Sequence, residues 1–283
     1  MRALLTRFAA RLGHERRLDR IADPVAGAVT RAVPAGPVKD ALSGVWLGHP
    51  LHPMLTDLPI GFWTSAFMLD FVGGRDGRKA AARLVGLGVL SSVPAMFAGT
   101  SDWGDTTGPA RRVGLVHAVA NTTAVACYGA SWWHRRNGRH LRGVAYGLVG
   151  ATAATVGGYL GAHLLQELGV GVDNTAFEAH SEEWTTACSS QDLTDVPRCF
   201  DVDGAPVIVF RHRGEPVGLG GRCPHRGAPM AEGRVDRDSI VCPWHASRFR
   251  ILDGSVEQGP SARPLPAYEC RVRGDVVEVR TRP

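Results

Sequence analysis

Cysteine is sparse: six residues, Cys127, Cys188, Cys199, Cys223, Cys242 and Cys270, in a chain of 283. That is too few for a disulfide scaffold of this length, and two of them stand beside histidines, so metal ligation is the first reading. No Gly-X-Y period runs through the 35 glycines and 18 prolines, which excludes a collagen-like chain. Charged residues make up 21% against 44% hydrophobic, so composition excludes a disordered chain as well. The length suits two domains, and charge divides along the chain. Residues 1–170 hold 18 basic and 10 acidic side chains, a net +8, whereas residues 171–283 hold 14 and 17, a net −3.

Formal charge is missing altogether from Val113–Trp133 and Gly143–Leu165. Each run is long enough to cross a hydrocarbon core of about 30 Å as a helix. Two weaker stretches precede them, Leu51–Val72 with Asp57 and Asp70, and Ala80–Gly99 with Arg83 and Pro94. Four transmembrane helices are therefore expected over residues 45–168. Small residues from Gly150 to Gly161 allow close helix packing. No short apolar core with a small-residue cleavage site comes before residue 50, so no secretory leader is expected. Residues 1–44 read instead as a basic amphipathic tail. Leu4, Leu5, Phe8, Leu12, Leu18 and Ile21 recur at near-helical spacing among Arg2, Arg7, Arg11, Arg16, Arg17 and Arg20, a pattern that suits an anionic lipid surface.

With four spans, the tail and the C-terminal domain share one side of the membrane. The short loops on the opposite side carry Arg75, Arg78, Lys79, Arg83, Arg135, Arg136, Arg139 and Arg142, so the loop charges and the basic tail point to opposite orientations. Asp70, near Arg75 and Lys79, is expected to form an ion pair. His134 and His140 fall in an Arg-rich loop and are expected to be solvated.

A polar linker is expected over 169–190, and β-rich runs with turn signals follow over 191–283. Cys199–Val202, the turn Asp203-Gly204 and Pro206–Phe210 predict a hairpin. Further strands are expected at Pro216–Leu219, Ser239–Val241, Phe249–Leu252 and Val276–Val279. Two loops interrupt them, Cys223-Pro-His225 and Cys242-Pro-Trp-His245. Each offers one thiolate and one imidazole, a donor set that also suits tetrahedral zinc.

The C-x-H…C-x₂-H spacing, with Gly227 and Pro229 after the first loop and Ser247 and Phe249 after the second, resembles the Rieske family. The resemblance implies a [2Fe–2S] cluster with Cys223 and Cys242 on one iron and His225 and His245 on the other. It also implies that Trp244, Ser247 and Phe249 surround these ligands. Rieske proteins of quinol-oxidising complexes carry a bonded cysteine pair where this chain has Ala228 and Trp244, and a tyrosine where it has Phe249. This likens the domain to the ferredoxin and oxygenase subtype, which implies a cytoplasmic location and a potential toward the low end of about −150 to +300 mV. Cys188 and Cys199 are then expected as free thiols.

The segment His49-Pro-Leu-His-Pro53, with the spans behind it, resembles a family of small four-helix bacterial membrane proteins of uncharacterised function, over about residues 45–168. Four histidines, His49, His52, His117 and His163, fall at span ends on the side assigned to the C-terminal domain. Their readings are interfacial side chains, a haem b or other metal site with His117 and His163 as first pair and His52 or His49 as substitutes, or a quinone pocket.

The expected fold is thus an N-terminal all-α four-helix transmembrane bundle joined to a C-terminal all-β antiparallel Rieske-like domain in the inner membrane. The expected function is one-electron transfer to or from a redox partner protein or quinone, with membrane lipid as the other contact. A membrane quinone or haem reductase and a cluster-based redox sensor are the alternatives. A terminal oxygenase is disfavoured for want of a domain supplying a mononuclear iron site, and nucleic acid is disfavoured because the β domain is acidic.

Overall fold

The computed structural model describes residues 2–179 and 181–282, and divides into two compact units. One unit is Met1–Val33 with Leu51–Val170, and the other is Pro34–Pro50 with Gly171–Pro283. Seven α-helices occur among the described residues: α1 (Arg2–His14), α2 (Asp19–Ala32), α3 (Pro37–Ser43), α4 (Leu51–Val72), α5 (Gly77–Gly104), α6 (Gly108–Arg136) and α7 (His140–Gln166). Three of them, α5, α6 and α7, are long and apolar enough to cross a membrane. Of the four expected spans, three are candidates on length and composition. The remaining long helix, α4, contains Asp57 and Asp70.

The helical unit carries its large apolar side chains outside and small ones inside. Phe71, Leu90, Phe97 and Leu141 are exposed, while Ala66, Ala81, Gly88, Ala98, Gly143 and Gly150 are buried. This is the arrangement expected of helices that associate in lipid, where close backbone approach replaces a hydrophobic driving force. Trp63 of α4 stacks on Tyr128 of α6 at 4.0 Å between ring centroids. At one end of the bundle Arg135 donates to both carboxylate oxygens of Asp70 at 2.7 and 2.6 Å. The ion pair of Asp70 thus forms with α6 rather than with Arg75 or Lys79, because helix packing brings Arg135 to it. His140 lies 3.7 Å from the same carboxylate, and His134 stacks on Tyr146, so neither is simply solvated.

The basic tail does not remain separate over 1–44. Arg112 of α6 donates to both oxygens of Asp19 at 2.7 Å and to Gly13 O at 2.8 Å, and Arg111 donates to Asp23 at 2.8 Å, which dock α1 and α2 on the bundle. Residues 34–50, by contrast, belong to the C-terminal unit. Asp40 of α3 accepts the Gly259 N–H at 2.9 Å there.

Ten strands build the C-terminal unit: β1 (Thr185–Ser189), β2 (Arg198–Val202), β3 (Ala205–His212), β4 (Glu215–Gly220), β5 (Arg234–Asp236), β6 (Ser239–Val241), β7 (Arg248–Arg250), β8 (Val256–Gln258), β9 (Ala267–Arg273) and β10 (Val276–Thr281). They form an antiparallel six-stranded sheet in the order β1-β10-β9-β4-β3-β2, and a four-stranded sheet β5-β6-β7-β8. The expected β2–β3 hairpin is present, with Val202 opposite Ala205 across Asp203 and Gly204, both at positive φ. Strand β3 is buried on both faces. Val207 and Val209 join Val277 and Val279 on one side, and Ile208 and Phe210 join Met230, Ile240 and Phe249 on the other. The expected linker over 169–190 is corrected: β1 pairs with β10 inside the sheet, with Thr185 opposite Val279.

Candidate metal centre

The two ligand loops are built alike. In the first, Cys223 N–H donates to Ala228 O at 2.9 Å and Gly227 N–H to Cys223 O at 2.8 Å. In the second, Cys242 N–H donates to Ser247 O at 2.8 Å and Ala246 N–H to Cys242 O at 3.2 Å. The residue four past each cysteine is left-handed, Gly227 at φ +73 and Ala246 at φ +61. The two turns therefore close alike, although the histidine is two residues past the cysteine in one loop and three in the other.

The donors meet in pairs. Cys223 and Cys242 are both buried and lie beside one another. Their mutual interaction, together with the N–H groups of Trp244 and His245, holds the Cys242 thiol down, whereas the same interaction and burial push Cys223 up. The His225 and His245 rings lie 5.1 Å apart at 84°, with both Nδ1 atoms shielded from solvent. Burial, and then the neighbouring charges of His245, Arg226 and Lys39, pushes His225 well below its ordinary value, so its imidazole is neutral and able to ligate.

This donor set divides two and two, sulfur behind and nitrogen in front. Among the described residues no three His, Cys, Asp or Glu side chains gather as a single-ion site. A binuclear iron–sulfur centre asks for two protein ligands per iron, and the four residues fit it.

The surrounding residues take distinct roles. Ser247, wholly buried, accepts the Ser261 N–H at 3.0 Å. Phe249 is buried in the core between the sheets. Trp244 is 55% exposed, its ring edge-on to His245 at 6.4 Å, so it forms an outer surface beside the histidine rather than a wall behind it. Two residues escaped the sequence reading. Asn174, in the expected linker, donates from its amide to Pro224 O at 3.1 Å and His225 O at 3.0 Å, tying down the first loop. Asp40 holds the Gly259 segment, which leads to Ser261. Neither carries a local signal, since both act across more than 45 residues of chain.

In the helical unit the structure brings together His52 and His117, with ring centroids 6.3 Å apart. The expected first pair is therefore corrected. His163 lies two residues beyond Gly161, the glycine that meets the His117 ring, and so on another side of α7. His49 is exposed and belongs to the other unit. All six cysteines are free.

Residues 183–269 match the model of the Rieske [2Fe-2S] domain, and residues 48–174 that of a predicted membrane protein, DUF2231. The chain is 30% identical over 98 residues to Ferredoxin CarAc of Metapseudomonas resinovorans, covering 34% of this chain and 92% of that protein. It is 35% identical over 94 residues to Apoptosis-inducing factor 3 of Homo sapiens, covering 33% of this chain. The chain spans only 16% of the length of that relative. Among solved structures, the ferredoxin of carbazole 1,9a-dioxygenase from Nocardioides aromaticivorans IC177 matches with a TM-score of 0.33 and 28% identity, over 35% of this chain and 98% of that one. The chain belongs, through its C-terminal domain, to the Rieske [2Fe-2S] family. It joins that domain to a membrane-associated helical one. These matches lend no support to haem or quinone.

Proposed function

We propose that the chain is a membrane-anchored one-electron carrier, with Cys223 and Cys242 holding one iron and His225 and His245 the other. The observation that carries this reading is the pairing of the four donors by two loops of equal build. When bound, the cluster supplies a one-electron couple whose potential depends on charge and hydrogen bonding around it. The thiol pair is closed off from water, while the half-buried imidazole pair and exposed Trp244 form the accessible edge for exchange with a partner protein. Relatives that are dioxygenase ferredoxin subunits favour a protein partner over a small substrate. Ser247 Oγ accepts from Ser261 and so keeps its own proton to donate.

Helix α4 crosses the membrane as well. It lies along α5 from His52 against Gly99 to Trp63 against Gly88, which supports equal depth. With four crossings the tail and the cluster domain share one side, and the ferredoxin likeness favours the cytoplasmic one.

The test is the full-length protein in detergent, reduced with dithionite. It should show a Rieske-type EPR signal with two irons per chain, lost in Cys242→Ser and His245→Ala. A chain holding one zinc ion and no acid-labile sulfide would overturn the reading.

A further inference from the structure

The helical unit contains the same motif twice. Trp63 follows His52 by eleven residues and Asp70 follows Trp63 by seven, and the same intervals separate His117, Tyr128 and Arg135. On the returning helices, Gly88, Ala95 and Gly99 are matched at equal intervals by Gly150, Gly157 and Gly161.

The contacts are matched too. His52 Nδ1–H donates to Ala95 O at 2.8 Å, and its ring occupies the space a Cβ on Gly99 would take. His117 Nδ1–H donates to Gly157 O at 2.8 Å, and its ring lies against Gly161. Trp63 lies against Gly88 as Tyr128 lies against Gly150. Each residue of the first copy also meets its own equivalent: His52 meets His117, Trp63 meets Tyr128, and Asp70 meets Arg135. Residues that contact their equivalents lie on a two-fold axis, here running along the bundle.

We propose that His52 and His117 are the two axial ligands of one haem iron held on that axis. A carbonyl can only accept, so each Nδ1 carries the proton and each Nε2 the lone pair. This is the orientation that metal-bound histidines receive from a backbone carbonyl. Metal–imidazole bonds are about 2.0–2.1 Å and the ring centre lies about 1 Å behind the nitrogen, so imidazoles on opposite sides of one ion have centres roughly 6 Å apart. The observed separation is 6.3 Å, with the rings at 82°.

Among the described residues Asn121 Nδ2 is the neighbour that could compete. It stands 3.3 and 3.4 Å from the two ring nitrogens of His117 and makes a shorter bond of 2.9 Å to His117 O, which can hold the amide when Nε2 is given to a metal. Zinc, by contrast, asks for four ligands, and no third ionisable donor joins this pair among the described residues. Haem iron needs only the axial two from protein, and facing helices of a bundle supply them.

The experiment uses the full chain in detergent, expressed with a haem precursor and titrated with hemin. The reduced-minus-oxidised spectrum should show the bands of a six-coordinate b-type haem at about one per chain, falling at least tenfold in His52→Ala and His117→Ala. The Rieske EPR signal should persist in both variants, which separates this outcome from failure of the cluster reading and from misfolding. His52→Met, able to ligate through sulfur, should retain haem with a shifted spectrum. No hemin binding by protein with a full Rieske signal would overturn the proposal. So would one copper or zinc ion per chain that depends on His52 without any haem band, or haem that survives in both alanine variants.

Discussion

Glu178 carries both carboxylate oxygens into the C-terminal unit, with Arg222 3.6 Å away and no hydrogen-bond donor among the described residues. Burial pushes its carboxyl up, and Arg222 only partly restores it. A folded-state value above the unfolded one means that stability falls as pH rises through the folded value. Glu178→Gln should therefore leave the melting temperature little changed near pH 4 and raise it at pH 8, as thermal unfolding at the two pH values checks. Ser247→Ala removes a hydroxyl able to hydrogen-bond sulfur, which disfavours the reduced state. The midpoint potential should fall by roughly 30–60 mV in an EPR-monitored titration. Gly227→Ala forces a Cβ into a left-handed turn, so it should cost about 1–2 kcal/mol and speed cluster loss, read as bleaching on heating. The four ligands were legible in the sequence because each cysteine and its histidine share one short loop. Asn174 and Asp40 were not, because nothing near them in the chain marks a residue whose partner lies in another segment.

At the scale of elements, the charge-free runs announced α6 and α7, and the apolar run Pro206–Phe210 after the Asp203-Gly204 turn announced β3. Strand β1 was hidden because Thr185–Ser189 holds no run of large apolar residues, and its pairing depends on β10, almost a hundred residues later. The pairing of His52 with His117 was equally hidden, since it depends on which faces of α4 and α6 turn inward. The join between the two helical hairpins can be tested at Arg135, whose side chain is 3% exposed against 8% for Asp70. Arg135→Ala leaves a carboxylate buried without its partner and should cost about 3–5 kcal/mol. Replacing both residues with leucine should recover much of that loss, which thermal unfolding of the three proteins in detergent would show.

For the molecule as a whole, loop charge leaves sidedness contested, and the proposed four crossings make it testable. Cys199 is the exposed thiol among the six. A membrane-impermeant maleimide should label it in inverted vesicles and spare it in intact spheroplasts, and the reverse pattern would place the cluster domain outside. Composition showed that there were two domains, but not that residues 34–50 cross over to the second one in the chain. A segment preceding the helices can belong to a domain that follows them only by contacts of very long sequence separation, such as that of Asp40 with Gly259.

The Asp70–Arg135 pair also decides which hairpins can associate. Had both copies kept the same residue there, either hairpin could close the bundle with its twin, and two chains could exchange halves freely. With opposite charges, a first hairpin meeting the first hairpin of another molecule would bury carboxylate against carboxylate, and two second hairpins would bury guanidinium against guanidinium. One residue pair thus makes each half choose its unlike sibling, and biases a repeated sequence toward closing within a single chain.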